Sequence, residues 1–147
     1  MTTTPLEVSI NYTNDQHKPS FDIQSFTLEI LAMKGVKTGY CDITILSNKE
    51  IHKMNKTYLS HDYPTDVISF NLSDTPYHSD IYISYETAES QAIEEKHSLE
   101  TELKTLIIHG ILHTLGYDDQ TQEKKRVMFQ EQDLLLKKHN LEHNETI

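Results

Sequence analysis

A chain of 147 residues with 36% hydrophobic and 24% charged side chains is long enough for one domain, burying about two-thirds of the surface its unfolded form exposes, and its alternating apolar patterning excludes wholesale disorder. Its net charge of −10, with Arg126 the sole arginine, excludes indiscriminate binding to a phosphate backbone, which depends on clustered Lys and Arg, so DNA is not an expected partner. No apolar run approaches the roughly 20 residues of a membrane span, and MTTTPLEVSI lacks the basic start and hydrophobic block of a secretory signal, so the expectation is a cytoplasmic protein with no membrane partner.

In chain order, LEVSINY at 6–12 alternates as a strand and the polar NDQHKPS after it reads as a loop. FDIQSFTLEILAMKG has apolar residues near helical spacing, which predicts a helix from about 21 to 34 that stops at Gly35. The β-branched YCDITILS places a strand at 40–46. Ser47 then caps a short helix, NKEIHKMNKTYL, with Glu50 in capping-box position. TDVISFNL at 65–72 and SDIYISY at 79–85 are the third and fourth strands, separated by a turn through Ser73, Asp74 and Pro76. From residue 86 onward ETAESQAIEEKHS, LETELKTLIIHGILHTLG and QEKKRVMFQEQDLLLKKH are helical, and 140–147 reads as a frayed, disordered polar tail. The expected fold is α+β: a small mixed four-stranded sheet packed with about five helices, in a single domain over 1–147.

Cys41 is the only cysteine, so a metal site has to use His and carboxylate. His17, His52, His97, His139 and His143 stand among polar neighbours and read as surface residues. His109 and His113, four apart in HGILHTLGYDD, project from one face of a helix and can share an ion. The surrounding Ile and Leu residues bury that helix, making it the central one, and a shared metal offsets the cost of burying two imidazoles. Gly116 can reverse the chain and return either Asp118 or Asp119 as a third ligand. Two nitrogens and one carboxylate leave a position for water, the pattern of a catalytic zinc site in which that water loses its proton near neutral pH. Gly110 stands where a metalloprotease of the HExxH kind has its general base, which disfavours that mechanism.

These residues resemble the YbeY family of bacterial metal-dependent endoribonucleases, also called rRNA maturation factors. HGILHTLGYDD is similar to the family signature H-G-x-L-H-x-x-G-Y-D-H at every specified position but the last. NKTYLSHDYPTDVISF at 55–70 resembles its N-x-x-Y-R-x-x-D-x-P-T-D-V-L-S-F block, and SDIYIS at 79–84 its G-D-I-x-I-S strand. The resemblance implies a single-strand-specific endoribonuclease in rRNA processing, at the 3′ end of 16S rRNA, and in ribosome quality control, with rRNA and the ribosome as partners. It puts Asp119 at the family's third-histidine position, so His109, His113 and Asp119 would hold one Zn²⁺, or another divalent metal that suits two histidines and a carboxylate. Zinc-bound water would attack a phosphodiester. Asp118 would orient a histidine or act as base. Leu59 replaces an arginine thought to act on substrate, and Lys56, His61, Thr65, Asp66 and Ser69 are the substrate-binding candidates. Asp66 also reads as the anchor of its turn through backbone N–H groups, and Asp80 as structural. Competing readings are a ribosome-associated assembly factor with a structural metal, and a metallohydrolase of another substrate.

Overall fold

The computed structural model describes residues 5–59 and 65–143. In order these form β1 (Leu6–Tyr12), a 3-10 turn (Asp15–His17), α1 (Ile23–Met33), β2 (Gly39–Leu46), α2 (Asn48–Leu59), β3 (Val67–Asp74), β4 (Tyr77–Ser84), α3 (Tyr85–Glu95), α4 (Leu99–Thr114) and α5 (Gln122–Glu142). The architecture is the expected α+β one, with five helices and a four-stranded mixed sheet.

Strand order is β1-β2-β4-β3. β1, β2 and β4 run parallel, in register Val8↔Cys41 and Cys41↔Ser79, while β3 closes the sheet antiparallel to β4. Alternation along the strands sends Cys41, Ile43, Ile45, Ile81 and Ile83, all fully buried, to one face, where α1 and α4 pack. The opposite face is covered at one end by α2, through Ile51 and Met54 against Leu46, Ile68, Phe70 and Tyr82.

α4 is the pivot of the molecule. Leu103, Ile107, Ile108, Ile111 and Leu112 are fully buried because the helix lies between the sheet, α1, α3 and α5. A helix apolar on nearly all sides belongs in such a position. Gly110 permits its closeness to the sheet: a Cβ there would stand 2.9 Å from Ile81 Cγ2 and 3.4 Å from Val67 Cγ2.

Side-chain caps punctuate the helices as their sequences dictate. Asp22, Ser84, Ser98 and Thr121 each accept from a backbone N–H in the first turn of α1, α3, α4 and α5. Ser47 and Glu50 form the expected capping box, with Glu50 N–H donating to Ser47 Oγ at 3.2 Å and Ser47 N–H to Glu50 Oε1 at 3.1 Å. Several boundaries move. α1 starts at Ile23 because Asp22 is its cap. β3 starts at Val67 and β4 stops at Ser84, inside the expected limits, but both run further toward their turn and leave only Thr75 and Pro76 between them, with a register shift between Asn71 and Ser73. The tail expected from residue 140 does not begin there: α5 continues to Glu142 and Asn140 is buried, because the last turn of α5 packs on α1.

Candidate metal centre

His109 and His113 lie on one face of α4, both half-buried, with their Nε2 atoms 3.1 Å apart. Two nitrogens bound to one tetrahedral zinc at its usual bond length are about 3.3 Å apart, so the pair is already spaced for a shared ion. At the end of α4 the N–H of Tyr117 donates to Leu112 O at 3.0 Å and that of Gly116 to His113 O at 3.1 Å. This double closure is a Schellman motif, and Gly116 supplies the left-handed residue it requires, with φ +101°. The chain turns back, and the Asp119 carboxylate comes to within 4.8 Å of the two imidazole nitrogens.

Asp118 is directed elsewhere. Its carboxylate accepts from Gln120 N–H at 3.1 Å and lies 3.5 Å from Lys124 Nζ, which fixes the turn into α5. Of the two aspartates, Asp119 is therefore the one that joins the histidines.

The donor set fits a metal in its protonation as well as its spacing. Burial and the neighbouring His109 hold the His113 imidazole below its ordinary pKa, against the opposing pull of Asp119, a Tyr117 backbone hydrogen bond and Asp118. A neutral imidazole is the ligand form. His109 Nδ1 lies 3.0 Å from Oε1 of Gln132, a buried residue of α5. With Nδ1–H donating to that oxygen, the lone pair of His109 is left on Nε2, where it faces His113 and Asp119.

Two of the three ligands, His109 and Asp119, border a cavity of about 620 Å³ between α3, α4 and α5, whose wall also includes Gln132 and Asp66. Of the sequence-derived substrate candidates, Asp66 alone lines it among the described residues. Its carboxylate accepts from Gln91 Nε2 at 3.2 Å and sits 3.5 Å from Thr65 Oγ1, so among the described residues its partners are side chains and not the backbone N–H groups expected for a turn anchor. Lys56 is exposed in the last turn of α2, and Ser69 shares a strand face with Val67, in register with Ile81 under α4. Neither they nor Thr65 belong to the cavity wall, and His61 lies outside the described residues.

Several residues of the site carried no signal in the sequence. Gln132, Gln91 and Phe129 come from helices that approach α4 only in three dimensions. His97, read as a surface residue, lines the cavity and lies 2.6 Å from Oε1 of Glu102, whose side chain is buried. The position of Glu102 seven residues before His109, on the same helical stripe, was a usable hint. His139, also read as surface, is 5% exposed.

Comparison with known proteins identifies the family and the fold. The family profile described as Endoribonuclease YbeY matches residues 8–140. A Bacillus licheniformis protein named Endoribonuclease YbeY is 43% identical over 75% of this chain and 78% of its own length. A protein of the same name from Acholeplasma laidlawii is 37% identical over 91% of this chain and 98% of its own. The solution structure of a Thermotoga maritima protein superposes with a TM-score of 0.67 at 25% identity, covering 93% of this chain and 91% of that one. With the profile spanning nearly all of the folded chain, this protein belongs to the endoribonuclease YbeY family.

Proposed function

We propose that residues 1–147 form one metal-dependent hydrolase domain that cleaves single-stranded RNA during ribosomal RNA processing, in the cytoplasm and in association with the ribosome. The observation that carries this reading is the convergence of His109, His113 and Asp119, two of which, His109 and Asp119, line a cavity of about 620 Å³. The relatives' shared name supports the RNA substrate and the endonucleolytic reaction. Zinc suits the two nitrogens and one carboxylate, and the same set accepts iron or manganese.

A divalent metal held by these three residues supplies Lewis acidity, lowering the pKa of water and offsetting charge on phosphoryl oxygens. The chain's own groups prepare that chemistry. His109 is kept in the ligating tautomer by Gln132, and His113 is kept neutral by burial. With Asp119 as a ligand, a bound metal would be less electron-withdrawing than one held by three imidazoles and would activate water at a higher pH. Gly110 argues against peptide hydrolysis of the HExxH kind, because the position is closed against Ile81 and has no room for a glutamate side chain.

A second reading, a ribosome-associated assembly factor with a structural metal and little hydrolysis, is favoured by Leu59. This residue ends α2 and is 41% exposed, and it cannot grip a phosphate as an arginine would. Elemental analysis of untagged protein, followed by incubation with single-stranded RNA, separates the two. The nuclease reading requires about one metal per chain, absent from His113→Ala and Asp119→Ala, and RNA cleavage abolished with it. A metal-replete protein that leaves RNA intact supports the assembly-factor reading instead.

A further inference from the structure

The cavity beside the metal ligands sets an electrostatic problem for a nuclease. Among the described residues its wall carries the carboxylates of Asp66, Glu94, Glu95, Glu102 and Asp119 against the ammonium of Lys125. A phosphate entering that space meets repulsion from most of its surroundings. A nucleobase meets the reverse, because it is neutral and planar, and the amino-bearing bases present N–H donors that carboxylates accept. The volume, about 620 Å³, is in the range of pockets that enclose small organic groups.

An aromatic surface stands where such a base needs one. Phe129 of α5 lines the cavity and is 39% exposed, so part of its ring is accessible from that space. Its ring centre is 6.2 Å from that of the metal ligand His109, and Lys125 Nζ lies 5.7 Å from the ring. A base stacked on Phe129 would thus hold its own nucleotide next to the metal centre.

Elimination identifies the carboxylate that reads the base. Glu102 is buried and closed by His97, Asp119 belongs with the histidines, and Glu94 and Glu95 stand exposed at the end of α3. Asp66 is half-buried and steadied by the Gln91 amide.

We infer that this cavity is a nucleobase subsite in which Phe129 stacks on the base adjoining the scissile phosphate and Asp66 accepts hydrogen bonds from its amino edge. Guanine, with N1–H and N2–H₂ side by side, matches the two oxygens of a carboxylate; uracil, whose one N–H lies between carbonyls, does not. The inference rests on the endoribonuclease reading and adds the substrate preference of the same site. Phosphates stay outside the cavity, toward the histidines.

The test uses metal-loaded full-length protein and single-stranded oligouridines carrying one internal G, A, C or inosine. Cleavage next to G is expected to be about ten-fold faster than in all-U RNA, with inosine, which lacks the N2 amino group, falling several-fold short of G. Phe129→Ala should lose about ten-fold and Phe129→Tyr recover it, while Asp66→Asn, which keeps the shape and the metal, should lose the preference for G over U. Free guanosine and uridine, which have no phosphate to cleave, are titrated in parallel while the Phe129 ring signals are followed by NMR. Guanosine binding tighter than uridine supports the subsite even if no RNA is cut, an outcome that would sink the nuclease reading alone. Metal-dependent cutting at equal rates beside every base, unchanged in Phe129→Ala, overturns the subsite and leaves the nuclease standing.

Discussion

Two helices of this protein carry histidines four residues apart with a carboxylate brought in from elsewhere, yet they have become different things. On α4 the cluster is His109, His113 and Asp119; on α5 it is His139 and His143 with Glu29 of α1. In the first, the ring nitrogens point at each other, and the neighbouring Gln132 holds the far side of His109. In the second, each imidazole faces one oxygen of the same carboxylate, His139 Nδ1 at 2.8 Å and His143 Nε2 at 2.7 Å. The other nitrogen of His139 lies 3.0 Å from Lys104 Nζ, itself 2.9 Å from Glu100. An ammonium donates and never accepts, so the lone pair of His139 is used there and its proton is turned to Glu29. The α5 cluster is a clasp that ties the end of α5 to α1 and α4. Spacing offers two ligands; what occupies their remaining nitrogens decides whether a metal can use them.

The sharpest way to break this comparison is to remove one histidine from each cluster and count metal. His109→Ala is expected to lose essentially all bound metal, whereas His143→Ala, taken from a 49% exposed side chain, should retain about one ion per chain. Equal losses in the two variants would mean that the clusters are not distinct in kind.

Next in size is the partner of His109. Gln132→Met keeps volume but removes the acceptor at Nδ1, and should weaken metal affinity by about 10- to 100-fold in competition with a chelator. Gln132→Glu, which still accepts, should bind near wild type. A methionine variant of unchanged affinity would show that α4 orients His109 without help.

The clasp should report in stability and not in metal. Glu29→Gln leaves two histidines with a weaker acceptor, so the denaturant midpoint should fall by the equivalent of about 1–2 kcal/mol while metal content is unaffected. A variant as stable as wild type would mean the contacts are incidental.

The smallest expected effect is a pH slope in metal-free protein. His113 has its folded-state pKa below its ordinary value of 6.5, with burial the main cause. Between the two pKa values the unfolded chain binds more protons, so stability rises with pH across that window and is lost as pH falls below about 6.5. Urea titrations of metal-free wild type and His113→Asn from pH 5 to 7.5 should show the slope in the first and a shallower one in the second. Parallel curves would assign the slope to another group.

The legible part of this protein lies in local pattern. The spacing of His109 and His113 and the turn at Gly116 both sit inside a dozen residues, and a helical period plus one left-handed residue is enough to bring Asp119 back. The capping box at Ser47 and Glu50 was equally local, as were the apolar alternations that became β1 to β4. Boundaries failed where a side chain outside the periodic stretch set them, as Asp22 did for α1.

Local pattern was silent, or misleading, wherever a residue's role depends on which element packs beside it. Lys137, Lys138 and Asn140 make His139 look solvated, but α5 rests on α1, where the Phe26 ring meets that imidazole edge-on at 4.8 Å. Gln132, Phe129 and His97 are unremarkable in the sequence and share one cavity because α3 and α5 both lie against α4.

By itself, then, the amino-acid sequence determined the helix that presents two imidazoles, the turn that returns a carboxylate, and the family. Only the tertiary structure decided which glutamine orients His109, which carboxylate and ammonium hold the second histidine pair, and which side chains share a cavity with the metal ligands. The physical reason is that periodicity specifies the face a side chain is on, while its chemistry is set by the groups that face it, and these come from the far side of the chain.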